Sequence, residues 1–314
     1  MNPGLTRRLL FFFSALSLLA GGVAFANIDI TLDNAFIDKF SDRVTIDTSL
    51  TVDKAHAHAN SPKDDGDLHI AGRAPEVKLA MVAEIMNAAS QQPAVDAVHQ
   101  AERGPARSLP VTGVWRLWCE HGGESEQIQG RALSPSRFTT TNPPHVFQIH
   151  PITKIEARSI VDSVRPVEGY KAKDAETAFT RYEALRCHMS VGSRKTTLTT
   201  TMAGYNYVEF ICRPTAKPKQ LQDGTAVFAE ARTLEDELLV NNRRMLFVKG
   251  SAAEQALKSL GENQELHVLG IPRISLKLVA YRRDHASTNR NMLDWGLPYE
   301  IVIVGSAETR TVPE

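Results

Sequence analysis

The sequence carries only three cysteines, Cys119, Cys187 and Cys212, and no CxxC pair. A closed zinc knuckle and a thioredoxin-type redox pair therefore have no support. Also missing are GxSxG, the P-loop, GxGxxG and HExxH, so hydrolase, nucleotide, dinucleotide and zincin readings lack their motifs. Neither charge is in excess: 36 basic and 36 acidic side chains, or 34 against 36 once residues 1–26 are set aside. Nonspecific nucleic-acid binding rests on surplus Lys and Arg, which this balance does not offer. After residue 26 no apolar run reaches the roughly 20 residues that span a bilayer.

What is present begins with a leader. Arg7 and Arg8 precede an apolar run over residues 9–20, and Ala24-Phe25-Ala26 supplies the small-x-small pattern of a signal-peptidase site. The expectation is a cleaved signal peptide over residues 1–26 and a periplasmic or secreted protein without a membrane span. The arginine pair hints weakly at a twin-arginine route. In an oxidising compartment three cysteines allow one bridge and leave one thiol over. A Cys187–Cys212 bridge is the preferred pairing, with Cys119 in the core beside Trp115 and Leu117. A Thr-rich middle strand over residues 196–201 would hold the paired cysteines two strands apart, so the bridge needs the connector to fold back.

Residues 44–52 alternate apolar and polar, the period of a half-buried strand. Further strands are expected at 67–70, 79–86, 111–118 and 146–155, with a helix from Pro93 to Ala101. Five strands with a helix between the third and fourth is the order of the oligonucleotide/oligosaccharide-binding (OB) barrel. The second half repeats it: strands at 205–212, 226–230 and 244–248, a helix at 252–260, and strands at 266–281 and 299–304. A local echo supports the repeat, since residues 109–117 align without gaps on 266–274, matching Gly113 to Gly270 and Arg116 to Arg273. The fold class is mainly β with short helices: two tandem OB-like barrels at 27–159 and 201–314. They are joined by a connector, 160–200, whose helix near 174–185 is capped by Asp174.

The first half also resembles a group of secreted bacterial proteins of unassigned activity. The residues that carry this are Gly66-Asp67-Leu68-His69-Ile70, Val82-Ala83-Glu84-Ile85, Val111-Thr112-Gly113 followed by Glu120-His121, and Val146-Phe147-Gln148-Ile149-His150-Pro151. The group usually carries Glu where this chain has Gln148. The resemblance covers roughly residues 65–155 and implies an exported OB-like module.

Two sets of residues invite chemistry. Asp67 and His69 share one strand face, and Glu84, His121 and His150 lie in or at the ends of expected neighbouring strands. Imidazole and carboxylate are the ligand types of Zn²⁺ and Mn²⁺, although the spacing matches no metal motif. The second set lies in the loop 119–145, at the usual OB binding rim: Arg131, Arg137, Phe138, Asn142 and His145. Charged, flat and hydrogen-bonding groups suit sugar rings or peptides. Two smaller pairs, His56/His58 and Cys119/His121, read more simply as a solvated loop and a core cysteine.

These features lead to an exported, non-enzymatic binding module for a saccharide, a peptide or an envelope protein, with no cofactor expected. The competing reading is a metal-dependent hydrolase, possibly nucleolytic, that uses Zn or Mn on the His/Asp/Glu set.

Overall fold

The computed structural model describes residues 27–122, 126–204, 206–286 and 294–312. The expected signal peptide, and Tyr205 at the start of an expected strand, lie outside the described residues. In chain order, β1 (Asn27–Asp33) and α1 (Asn34–Phe40) precede β2 (Thr45–Ala55), β3 (Leu68–Arg73), β4 (Met81–Ile85) and α2 (Gln92–Arg103). Next come β5 (Ser108–His121), β6 (Glu126–Ile128), β7 (His145–Ile155) and the short β8 (Arg158–Ser159). The connector holds α3 (Ala175–Ala184), β9 (Arg186–Val191) and β10 (Lys195–Thr201). The second half contains β11 (Val208–Pro214), β12 (Lys219–Gln220), β13 (Gly224–Arg232), β14 (Leu238–Val248) and α4 (Ala252–Lys258). It ends with β15 (Gln264–Ile274), α5 (Leu276–His285), β16 (Asp294–Gly296) and β17 (Tyr299–Thr311).

Two closed five-stranded barrels result, each with OB connectivity. In barrel 1 the ring is β2-β3-β4-β7-β5, with β4 and β7 parallel and β5 returning to β2. In barrel 2 it is β11-β13-β14-β17-β15, with β14 and β17 parallel. Helices α2 and α4 occupy the same place in each barrel, between strands three and four. Pro93 sits in the first turn of α2. Ser251 caps α4, its Oγ accepting from Glu254 N at 3.2 Å, and Glu254 Oε2 in turn accepts from Gly250 N at 2.9 Å. As expected, Asp174 caps α3 by accepting from Thr177 N.

The echo between residues 109–117 and 266–274 is a true equivalence, because both segments form the fourth barrel strand. Gly113 and Gly270 both fall at shifts of register. A Cβ on Gly113 would stand 2.7 Å from Pro151 O, and one on Gly270 would stand 2.6 Å from Ile301 Cγ2. Only glycine admits such close approach at a barrel corner. Arg116 and Arg273, both fully buried, clamp the barrels together reciprocally. Arg116 Nε donates to Pro272 O, and Arg273 donates to Trp115 O, each at 2.9 Å, while Arg273 also lies 3.5 Å over the Trp115 ring. Around this crossing Val44, Val114, Leu246, Leu269, Ile271 and Val302 form a second apolar core.

Three expectations change. The strand anticipated over 266–281 stops at Ile274, because Ser275 Oγ accepts from Leu278 N and starts α5. The Thr-rich segment of β10 does not lie between the two cysteine strands: its neighbours are β9, which carries Cys187, and β1. Cys212 is on β11 of barrel 2, in another sheet, so the expected Cys187–Cys212 bridge does not form and all three thiols are reduced and buried. Third, β1, β6, β9, β10 and β16 build an additional sheet in the order β16-β9-β10-β1-β6. Its edge strands, β6 and β16, come from the loops between the fourth and fifth strands of the two barrels. Among the described residues no helix is long and apolar enough to cross a membrane.

Candidate functional site

Stitching β6 into the third sheet changes what the 119–145 loop offers. Phe138 packs against Ala71, Ala80 and Leu133 and is buried, so it anchors the loop. The Phe138 backbone N–H donates to Asp53 Oδ2 at 3.2 Å, and Arg137 reaches Asp53 O at 3.4 Å. His145 is buried with Nδ1 2.7 Å from Pro143 O, and desolvation depresses its pKa to about 3. Arg131 pairs with Glu126 in solvent, and Asn142 is exposed. Of the five loop residues, Arg131, Phe138 and Asn142 line a common cleft of about 630 Å³ along the loop, while Arg137 and His145 lie outside it.

The other set does come together. A cleft of about 650 Å³ opens where barrel 1, the connector and the entry to barrel 2 meet. His69, Glu84, Glu120 and His121 line one side, Asp64 and Asp65 the rim, and Tyr170, Asn206 and Tyr207 the opposite wall. Strand alternation explains the inner wall. Leu68 and Ile70 point into the barrel core while His69 points out, and it pairs across the ladder with Glu84, which alternates with core-facing Ala83 and Ile85. On β7, Phe147 and Ile149 face inward, and Gln148 and His150 face out beneath Glu84.

These side chains form a continuous buried network. Arg116 donates to Gln148 Oε1 and, at 2.9 Å, to Glu120 Oε2. Gln148 Nε2 donates to Glu84 Oε1 at 2.8 Å. Glu84 Oε2 stands 3.4 Å from His150 Nδ1 and 3.5 Å from His69 Nε2, near enough for charge attraction but not aligned as hydrogen bonds. On the far side Tyr207 OH donates to Asp67 Oδ2 at 2.5 Å and lies 2.6 Å from His150 Nε2. Four atoms are left buried without a hydrogen-bond partner: Asp67 Oδ1, His69 Nε2, Glu84 Oε2 and His150 Nδ1.

The electrostatics follow from this packing. Burial raises the Asp67 carboxyl to about 8, against the opposing hydrogen bond from Tyr207. Burial also raises Glu84, although His150 and His69 pull it the other way. Desolvation would lower His69, but the carboxylates of Glu84 and Asp65 outweigh it and hold the imidazole at about 9. Asp65 falls to about 2, because the His69 imidazole 3.6 Å away and hydrogen bonds from Asp67 N and Asn60 overcome its burial. His150 is lowered by desolvation in spite of Glu84. Such opposed shifts in one cleft are typical of functional sites.

Of the expected metal-ligand residues, Asp67, Glu84 and His150 each offer an atom within 4.8 Å of the others, and His69 flanks Glu84. His121 lines the same cleft but turns aside, stacked on His145 at 5.0 Å with Nε2 3.9 Å from Glu120. His56 stacks on His69 at 4.8 Å, whereas His58 is exposed. Cys119 faces the core, its thiol bonded to Thr201 O and raised by burial to about 11, so it offers no thiolate to His121. Sequence reasoning missed Asp65, Glu120, Arg116 and Tyr207. The acidic run Asp64-Asp65-Gly66-Asp67 signalled the first, and nothing local signalled Tyr207. Other clefts of similar size lie beside Lys217 and Gln264 and along the 126–144 loop, but no residue lining them has an unsatisfied buried side-chain atom.

No model of a known protein family matches the chain, and no curated protein is significantly similar to it.

Proposed function

We propose that the protein is an exported binding protein, periplasmic or secreted, that takes a polar ligand in the cleft between its two barrels. The N-terminal leader pattern supports export, and the strand-two and strand-three face of an OB barrel is a common ligand surface. That second support is an analogy of fold. The observation that carries the reading is the group of buried, unsatisfied polar atoms under the cleft, at positions that barrel 2 fills with apolar side chains. The lining is rich in carboxylates, Asp64, Asp65, Glu84, Glu120 and Asp174, with Tyr170 as a flat wall. This suits a saccharide or a peptide that presents hydroxyl or ammonium groups.

The test is a thermal-shift and calorimetric screen of the exported protein against oligosaccharides and short peptides. His121→Ala is expected to weaken the best binder at least tenfold without lowering the melting temperature. Hydrogen-exchange protection confined to the 126–144 loop would instead move the site there. A second reading, a metal-dependent hydrolase, is favoured by the convergence of Asp67, Glu84 and His150. Its test is turnover of phosphoester and amide substrates with added Zn²⁺ or Mn²⁺.

A further inference from the structure

The floor of the cleft has a chemistry more specific than a polar wall. A buried polar atom without a partner is costly to the fold, and four of them cluster here. The fold does not demand them. By strand register, Asp67, His69, Glu84 and His150 occupy the places of Gly224, Ala226, Leu246 and Val302 in barrel 2.

The donors are also oriented. Tyr207 OH gives its proton to Asp67 Oδ2, so its oxygen accepts from His150 Nε2–H. That fixes the tautomer and leaves the Nδ1 lone pair directed to the Glu84 side, 3.4 Å from Oε2. An imidazole held at one nitrogen by an outer partner and bare at the other is the arrangement of a metal-bound histidine. Two ligands on one tetrahedral zinc, with bonds of about 2.0–2.2 Å, stand about 3.3–3.5 Å apart. The Glu84–His150 and Glu84–His69 separations are 3.4 and 3.5 Å. Asp67, Glu84 and His150 each offer an atom within 4.8 Å of the others, and Asp67 Oδ1 is without a hydrogen-bond partner.

The geometry points to a divalent transition-metal site, Zn²⁺ in preference to Mn²⁺, held by Asp67, Glu84 and His150, with His69 completing it from the open side of the cleft. Imidazole among the donors favours zinc over manganese at equal concentration. His69 is the half-buried member and faces the cleft, so its place is the one a water or ligand group can share. This inference deepens the reading of the cleft as a ligand site, yet the two fail separately. Protein that binds a saccharide or peptide there but takes up no stoichiometric zinc would retain the cleft and reject the ion.

The experiment is equilibrium dialysis of the chelator-stripped, exported protein against Zn²⁺ and, in parallel, Mn²⁺, with bound metal counted per chain. One zinc per chain is expected, with manganese at least tenfold weaker. Glu84→Gln and His150→Ala should each lower zinc affinity a hundredfold or more. Tyr207→Phe, which removes only the orienting hydroxyl, should lower it 10–100-fold. His58→Ala, on the exposed loop, reports adventitious surface binding and should change nothing. Should the buried variants fail to fold, Co²⁺ substitution of the unaltered protein serves, with a visible band of four-coordinate N/O ligation expected. No stoichiometric zinc, zinc lost with His58→Ala, or unchanged affinity in folded Glu84→Gln would overturn the proposal.

Discussion

The two barrels share a strand order, a helix position, a glycine bulge and a buried arginine, yet their matching outer faces have opposite chemistry. On barrel 2, Ala226, Leu246 and Val302 occupy the positions of His69, Glu84 and His150, and Leu246 and Val302 belong to the apolar core between the barrels. On barrel 1 the same positions form the buried polar network under the cleft. The charged pairs differ too. Arg273 faces Glu300 at 2.8 Å, both fully buried, while Arg116 faces the neutral Gln148 and sends its second bond to Glu120 at the cleft wall. One barrel uses its arginine to hold the interface, and the other also uses it to brace a site. An apolar solution is available to this fold, so the polar face of barrel 1 is retained for something other than stability.

The largest expected effect tests the arginines. Arg273→Ala leaves Glu300 buried with only Arg244 as a charged partner and should cost about 3–5 kcal/mol in urea unfolding. Arg116→Ala leaves a neutral amide and a partly exposed carboxylate, and should cost about 1–3 kcal/mol. Equal losses would mean that the arginines have the same task.

Next comes a direct exchange of faces. The triple variant His69→Ala, Glu84→Leu, His150→Val gives barrel 1 the residues of barrel 2. It should keep or raise stability, by about 1–4 kcal/mol, while abolishing binding in the cleft. A large loss of stability would show that the polar network holds the fold.

The glycines should behave alike. Gly113→Ala and Gly270→Ala each crowd a strand crossing and should each cost about 1–3 kcal/mol. A clear inequality would break the equivalence of the two bulges.

The smallest effect concerns the seam between barrels. Burial would raise the Asp223 carboxyl, but hydrogen bonds from Thr45 and Val44 N–H, Thr45 Oγ1 and Arg43 outweigh it and lower the pKa below the ordinary 3.8. The unfolded chain therefore takes up this proton first as pH falls. The stabilisation is complete above about pH 4 and is lost as pH drops through the folded value. Asp223→Asn should flatten the acid limb of a stability–pH curve while leaving the region above pH 5 parallel to wild type.

Much of this was legible because it depends on local periodicity. Alternation along β2, the helix signals at Pro93 and Asp174, and the echo around Gly113 and Gly270 each report on a few consecutive residues. The same alternation nominated Asp67, His69, Glu84 and His150, since outward positions on neighbouring strands must be near one another once a barrel closes. The Asn27–Asp33 alternation is equally regular, but it abuts the leader pattern, which masks it as a strand signal. The burial of Phe138 is not legible in the sequence, because loop composition does not tell whether a ring is covered.

Periodicity, turn chemistry and a repeated segment were enough to determine two β-rich barrels from the sequence alone, because burial on one strand face imposes its own pattern on neighbouring residues. Only the tertiary structure decided the third sheet, the reduced cysteines and the floor of the cleft. β6 and β16 are three residues each and take their strand form from partners far away in the chain. Tyr207 meets Asp67 across 140 positions, and Arg116 meets Pro272 across 156. Contacts of that range follow from how one barrel packs on the other, and no local pattern encodes that packing.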